Sequence, residues 1–361
     1  MISNPSICYP IFTALSVTFA LSLFLVLTKH FHGRFTLDSS EGVQKFHDLP
    51  TPRIGGIALA FGYFAAWFAM EGTTKGLFGV IGLAGLPALA FGLAEDITKR
   101  VSVRVRLIAT MASGLIFAII SGYTITSVEV WGVDAMLAIP IISLAFTSFA
   151  VAGVANSINL IDGFHGLASG TLVIILLAFA LVGWRIGDDT FVILALTMSA
   201  VIFGFFLVNF PFGKLFLGDA GAYFAGYFVA IMAVMLPARN PEVSPWISLL
   251  ILGYPVTETI VSIVRRVLAH GAHPGEPDSD HLHHIVHRSW AKFVASALRI
   301  PTAQNSITSV IMWVLPLISL ISVNYCGFHS MSALSYLAVL VFCYLATYRA
   351  IIAWETYGAV T

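Results

Sequence analysis

Eleven apolar runs, each close to the length needed to cross a bilayer, constrain this chain more than any other feature. An α-helix rises 1.5 Å per residue and the hydrocarbon layer is about 30 Å thick, so a crossing takes about 20 mostly apolar residues. The runs fall near 9–28, 54–71, 77–94, 106–123, 136–160, 166–184, 190–210, 215–236, 245–265, 306–324 and 331–352. Lipid offers the backbone no hydrogen-bond partner, so runs of this length are read as helices. The expected fold is an all-α, polytopic membrane protein, a single integral domain over 1–361. Only 10% of residues are charged, against about 25% in soluble domains. The 18 basic and 18 acidic residues cancel, leaving no field that would favour a nucleic-acid partner. The first run lacks a basic start and a small-residue cleavage site, so it is expected to remain as a helix. The three cysteines suggest neither a disulfide framework nor metal-ligand spacing. No internal repeat is evident, which disfavours a transporter built from inverted halves.

Eleven crossings put the termini on opposite sides, and the Lys and Arg excess of cytoplasmic loops decides which. With the N-terminus outside, the inner segments and the helix ends that border them hold 15 of the 18 Lys plus Arg, leaving Lys75, Arg185 and Arg239 outside. The expected orientation is N-terminus periplasmic, C-terminus cytoplasmic. The inner segments, 29–53, 95–105, 161–165, 211–214 and 266–305, also carry polar groups that loops do not require. They are expected to form an active-site face open to the cytoplasm.

Glu95 and Asp96 end the third run, Asp162 follows the fifth, Asp219 opens the eighth, and Glu258 lies within the ninth. Ionisable groups at membrane depth are costly and face a bundle interior or a wet cavity. Each also has a plain reading, pairing with a loop Lys or Arg to fix topology. For Glu258, seven residues before Arg265, the two readings are evenly matched. Asp96, Asp162 and Asp219 sit beside glycines, which let a backbone turn tightly and approach a ligand. "DGFHG" (162–166) and "GDAG" (218–221) therefore read as carboxylates displayed on turns. Mg²⁺ binds through one or two carboxylates plus waters and substrate phosphates. That makes Asp219 and Asp162 the candidate ligands for Mg²⁺, with Mn²⁺ as a substitute. Asn156, Asn159 and Asn209 add amides able to read a base or a sugar.

Six of the eleven histidines crowd into one inner segment: His270, His273, His281, His283, His284 and His287. Closed zinc sites need four N or S ligands in a tetrahedron, and no cysteine is near. A solvated, disordered loop is the bland reading. An anion cradle fits the neighbouring acids best, with Arg265 and Arg266 beside His281, His283 and His284 gripping a pyrophosphate. In the first inner segment Lys45, Asp48 and Arg53 flank the stiff "DLPTPRIGG" (48–56). Lys45 and Arg53 serve either as ordinary positive-inside residues or as holders of a lipid phosphate or nucleotide, and Asp48 is a substrate-binding candidate beside them.

Four of these stretches together resemble one family, the polyprenyl-phosphate N-acetylhexosamine-1-phosphate transferases. They are "PRIGG" (52–56), "NSINLIDGFHGLASG" (156–170), "FLGDAG" (216–221) and "PDSDHLHH" (277–284), and the likeness runs from about residue 45 to 290. The family includes enzymes that start O-antigen and enterobacterial common antigen synthesis, and the phospho-MurNAc-pentapeptide translocases. The translocase branch tends toward three adjacent histidines, which "HLHH" interrupts. The resemblance implies transfer of a sugar-1-phosphate from a UDP-N-acetylhexosamine to undecaprenyl phosphate, releasing UMP, in the bacterial inner membrane, where a homodimer is common. It also implies that Asp219 is the main Mg²⁺ ligand and that Asp162, Asn159 and Asn209 contact the nucleotide sugar, with Phe216 on the base. His281, His283 and His284 would hold phosphate oxygens. Glu95 and Asp96 stand where the family has paired aspartates that engage and deprotonate the lipid phosphate, and Asp96 is the expected base. The chain departs from the family pattern at Glu95, one methylene longer than aspartate, and at His165, where an aspartate is common.

Overall fold

A computed structural model describes residues 5–38, 50–268 and 280–358. The chain runs through α1 (Pro5–Leu27), α2 (Lys29–Thr36), α3 (Gly55–Ala69), α4 (Gly72–Ala84), α5 (Leu86–Thr98), α6 (Val103–Ser121) and the short α7 (Val133–Leu137). It continues through α8 (Pro140–Leu160), α9 (Leu167–Ile186), α10 (Asp189–Asn209), α11 (Gly218–Arg239), α12 (Pro245–Ile251) and α13 (Gly253–Leu268). After 280 come α14 (Leu282–Val286), a π-helical turn (His287–Ala291), α15 (Lys292–Ala297), α16 (Gln304–Met312), α17 (Val314–Tyr325) and α18 (Ser330–Gly358). The sole strand pairing among the described residues is a two-residue antiparallel contact, Leu37 with Pro52 and Asp38 with Thr51.

Eight helices are long and apolar enough to cross a membrane, and two bent pairs raise the number to ten. The protein is a multi-pass membrane protein of the all-α class. Every predicted run has a counterpart, but three differ in form. The run expected at 54–71 is α3, a helix of 15 residues. The run expected at 77–94 is α4 and α5, bent by 44°, and the run at 245–265 is α12 and α13, bent by 81°. Both breaks carry the same Gly-x-Pro signature, Gly85-Leu86-Pro87 and Gly253-Tyr254-Pro255. Proline has no N–H to give to the carbonyl four residues back and its ring clashes there, so an apolar run splits where it occurs.

The bundle is built around α11. Its apolar window is 89% buried, against 17% for α18 at the periphery. An all-round apolar helix rich in Gly and Ala suits that place, because small residues let neighbouring backbones come close. α3, α5, α6, α8 and α9 surround it, while Tyr63, Phe78, Phe224 and Phe228 fill the centre with ring contacts 3.9–6.1 Å apart. The arrangement brings the start of α11 against the starts of α3 and α6 and the ends of α5 and α8, and the polar chemistry collects there.

Candidate active site

Asp219 lies in the first turn of α11 and is 2% exposed. Its Oδ2 accepts from Arg53 Nη2 at 3.0 Å and pairs with Arg106 Nη1, and its Oδ1 accepts from Asn159 Nδ2 at 2.6 Å. Four chain segments thus meet on one carboxylate: the approach to α3, the first turn of α6, the last turn of α8 and the start of α11. Arg106 is 9% exposed and lies 5.5 Å over the Tyr223 ring. Tyr223 in turn donates to Asn156 Oδ1 at 3.2 Å. A buried charge is tolerable only when paired and hydrogen-bonded, and here a single acid faces two guanidinium groups and an amide.

Asp96 sits behind Asp219 with no exposed surface. Its Oδ1 accepts from the Asp219 amide at 2.8 Å and its Oδ2 from the Ala220 amide at 2.9 Å, with Arg53 Nε 3.5 Å away. Asp96, the expected base, is held here as the acceptor of two backbone N–H groups at a helix start, out of contact with solvent. Glu95, half-buried in the same turn, accepts from the Val101 amide at 2.7 Å and shapes the α5–α6 connection. Both acids belong to helix α5 rather than to a loop beginning at 95.

Asp162 lies on the turn between α8 and α9, half-buried. Burial pushes its carboxyl up to about 7 against the pull of Arg53, with the Asp219 charge adding to the rise. His283 and His284 lean over the same turn, their Nε2 atoms 3.7–3.8 Å from where a side chain on Gly163 would begin.

The histidine segment is folded over its described part. α14 is buried, with His281, His283 and His284 at 5%, 1% and 6% exposure, so the solvated-loop reading fails for 280–291. Glu258 of α13 holds its entrance, accepting from the Leu282 amide at 3.1 Å and facing His281 Nδ1 at 3.1 Å. Glu258 therefore pairs with the histidine segment and not, as the plain reading had it, with Arg265. Arg265 binds Asp280 at 3.2 Å, and Arg266 is half-buried near the end of α13. Burial holds the His283 imidazole well below its ordinary range, with neighbouring His284, His281 and His287 adding to the effect.

Asn209 and His165 tie neighbouring turns together. Asn209 accepts from the Gly166 amide at 2.6 Å and donates to the Leu215 carbonyl at 2.8 Å, clasping two turns together. The His165 amide donates to Asn305 Oδ1 at 2.6 Å and its carbonyl accepts from Ser309 at 2.7 Å, while its ring lies 6.0 Å from that of Phe216. Phe216 and Leu217 are stitched to Pro52, Gly55 and Gly56 by backbone bonds of 2.9–3.0 Å. Lys45, Asp48, His270 and His273 lie outside the described residues.

The structure thus gathers Arg53, Asp96, Asn159 and Asp219, with Asp162 coupled to them by charge and α14 leaning on its turn. In the sequence Arg106 stands only as one more topology charge, and no local pattern marks Asn305 or Ser309. Ser102, whose hydroxyl accepts from the Val105 amide, marks a helix start that would have placed Arg106 rigidly in a first turn. Among the described residues no three His, Cys, Asp or Glu side chains form a cation cage. One or two carboxylates in a polar cluster are still the donor set that Mg²⁺ takes when phosphates complete its shell.

Residues 78–237 match the model of glycosyl transferase family 4. The chain is 30% identical over 244 residues, 67% of each protein, to a probable undecaprenyl-phosphate N-acetylglucosaminyl 1-phosphate transferase of Bacillus subtilis. It is 26% identical over 281 residues, 76% of each, to the undecaprenyl-phosphate alpha-N-acetylglucosaminyl 1-phosphate transferase of Escherichia coli K12. A phospho-N-acetylmuramoyl-pentapeptide-transferase of Streptococcus pyogenes is 29% identical over 201 residues, 52% of this chain and 59% of that protein.

Proposed function

The chain belongs to glycosyl transferase family 4, and from that premise we propose that it transfers an N-acetylhexosamine-1-phosphate from a UDP-sugar to undecaprenyl phosphate, releasing UMP. The single observation that carries the reading is the convergence of Arg53, Arg106, Asn159 and Asp96 on Asp219, in a chain that resembles transferases of this kind. Greater coverage of the N-acetylglucosaminyl relatives than of the pentapeptide one favours a simple UDP-N-acetylhexosamine as donor. The product would begin an envelope glycan of the O-antigen type.

In this reading an oxygen of the lipid phosphate attacks the sugar-bearing phosphorus, and the bond to UMP breaks. Attack of one phosphate on another is opposed by like charge, so the groups that neutralise the pyrophosphate carry most of the catalysis. Mg²⁺ held by Asp219 would supply part of that neutralisation. Arg53 and Arg106 supply the rest, exchanging their carboxylate partner for phosphate oxygens. Asp162, half-buried beside these cations, takes the proton of the lipid phosphate, a role suited to a base poised near neutral pH. Buried His283, held neutral, can donate one hydrogen bond to a phosphate without adding charge. α13 completes the acceptor side. Its Glu258 face meets α14, while Ile260, Ile263, Val264 and Val267 are 46–63% exposed and offer an apolar flank to the polyprenyl chain. The site would face the cytoplasm of a bacterial inner membrane, with a homodimer as the assembly.

The test is UMP release by purified protein in nanodiscs with undecaprenyl phosphate, Mg²⁺ and a panel of UDP-sugars. Turnover is expected with at least one UDP-N-acetylhexosamine and is expected to vanish in Asp219→Asn. Wild-type protein inert toward every donor would refute the reading.

A further inference from the structure

Asp96 and Gly92 lie four residues apart on α5 and so share one face of that helix. Both meet the first turn of α11. A Cβ on Gly92 would lie 2.6 Å from Ala220 Cα, closer than real side chains come, so nothing larger than glycine lets the helices meet this closely. One turn later both Asp96 oxygens accept from the Asp219 and Ala220 amides. These N–H groups are among the four that a helix start leaves without an intrahelical partner, and a carboxylate there also opposes the positive end of the helix dipole. Gly218 adopts a left-handed backbone, φ 73°, and a Cβ on it would lie 2.6 Å from Asp96 Oδ2. The chain thus turns into α11 directly over the Asp96 carboxylate.

We propose that Asp96, seated by Gly92, is a positioning residue that fixes the first turn of α11 and so aims the Asp219 carboxylate at Arg53, Arg106 and Asn159. It acts through the hydrogen bonds its oxygens accept from the Asp219 and Ala220 amides. The substrate's proton goes elsewhere. A helix start locked from behind presents its side chain in one orientation, and groups that orient a metal ligand from behind change metal affinity or activity about 10–100-fold when removed.

The proposal rests on the transfer reaction above for its kinetic arm and stands apart from it for its binding arm. Mn²⁺ affinity of the full-length protein in detergent, measured by electron paramagnetic resonance without substrates, is expected to fall about 10–100-fold in Asp96→Asn. kcat/KM should fall in parallel and recover at saturating Mn²⁺, with the acid limb of the pH–rate profile unmoved. Gly92→Ala, which alters no polar group, is expected to weaken Mn²⁺ in the same direction, and it decides the matter if Asp96→Asn fails to fold. Unchanged Mn²⁺ affinity in either folded variant overturns the proposal. So does turnover lost at every metal concentration together with the acid limb, which would make Asp96 the proton acceptor after all. Weakened Mn²⁺ binding in a protein inert toward every UDP-sugar would sink the transfer reaction and leave the positioning role intact.

Discussion

Arg106 shows how one side chain is decided by its surroundings. It is buried between the Asp219 carboxylate and the face of Tyr223, so its removal leaves a buried acid short of one partner. Breaking a buried ion pair from one side costs about 3–5 kcal/mol, and Arg53 with Asn159 remaining on Asp219 keeps the loss near the lower end. Arg106→Ala should therefore lower stability in detergent by about 3 kcal/mol, read by chemical denaturation, and should also depress turnover. A variant as stable as the parent would show that Arg53 alone neutralises Asp219. Nothing in the local sequence distinguishes Arg106 from Arg104, two residues earlier. Arg104 is exposed and Arg106 is not, because a two-residue step on a helix turns the side chain to the other face.

The histidine segment behaves as one element. His283 is held neutral by burial, and burial pushes His287 down to about 4, with the His165 charge adding to it. Both folded values lie below the ordinary 6.5, so the unfolded chain takes up protons first as pH falls. The stability they permit is complete above about pH 6.5 and declines as pH drops from there toward 4. Melting temperature in detergent should fall across that window, and His287→Gln should make the fall shallower. A melting temperature flat between pH 6.5 and 4 would contradict the burial described for α14 and the π-helical turn. The helical runs were legible at this scale because spanning length and apolar composition are local properties. The breaks at Pro87 and Pro255 were written in the sequence too, as Gly-x-Pro, but their angles of 44° and 81° depend on what each second half packs against. Glu258 is the clearest case. Arg265 was its near neighbour in sequence, but seven residues along α13 set the two about 10 Å apart, and Glu258 meets His281 and Leu282 instead.

Across the whole molecule the polar chemistry separates into two ends. Opposite the candidate site, Arg239 forks onto Asp188 at 2.8 and 2.9 Å and donates to the Tyr123 hydroxyl at 3.0 Å. Asp188 also caps α10, accepting from the Phe191 amide at 3.1 Å. Asp188→Ala should cost about 1 kcal/mol from the cap alone, with more from the orphaned arginine, and leave the KM for the UDP-sugar unchanged. A changed KM would mean that the two ends communicate. Trp131, 99% exposed, and Phe212, 74% exposed, mark the two ends. In intact bacterial cells a cysteine at 131 should react with an impermeant maleimide and one at 212 only after permeabilisation; the reverse pattern would invert the orientation read from the basic residues.

By itself the sequence determined that this chain is a helical membrane bundle and which residue types its chemistry uses, since lipid enforces helices and the motif residues stand in plain view. Only the tertiary structure decided which of those residues share a pocket and which serve as scaffold. That choice is set by how helix ends far apart in the chain pack around α11, and no local pattern encodes where a buried carboxylate finds its partners.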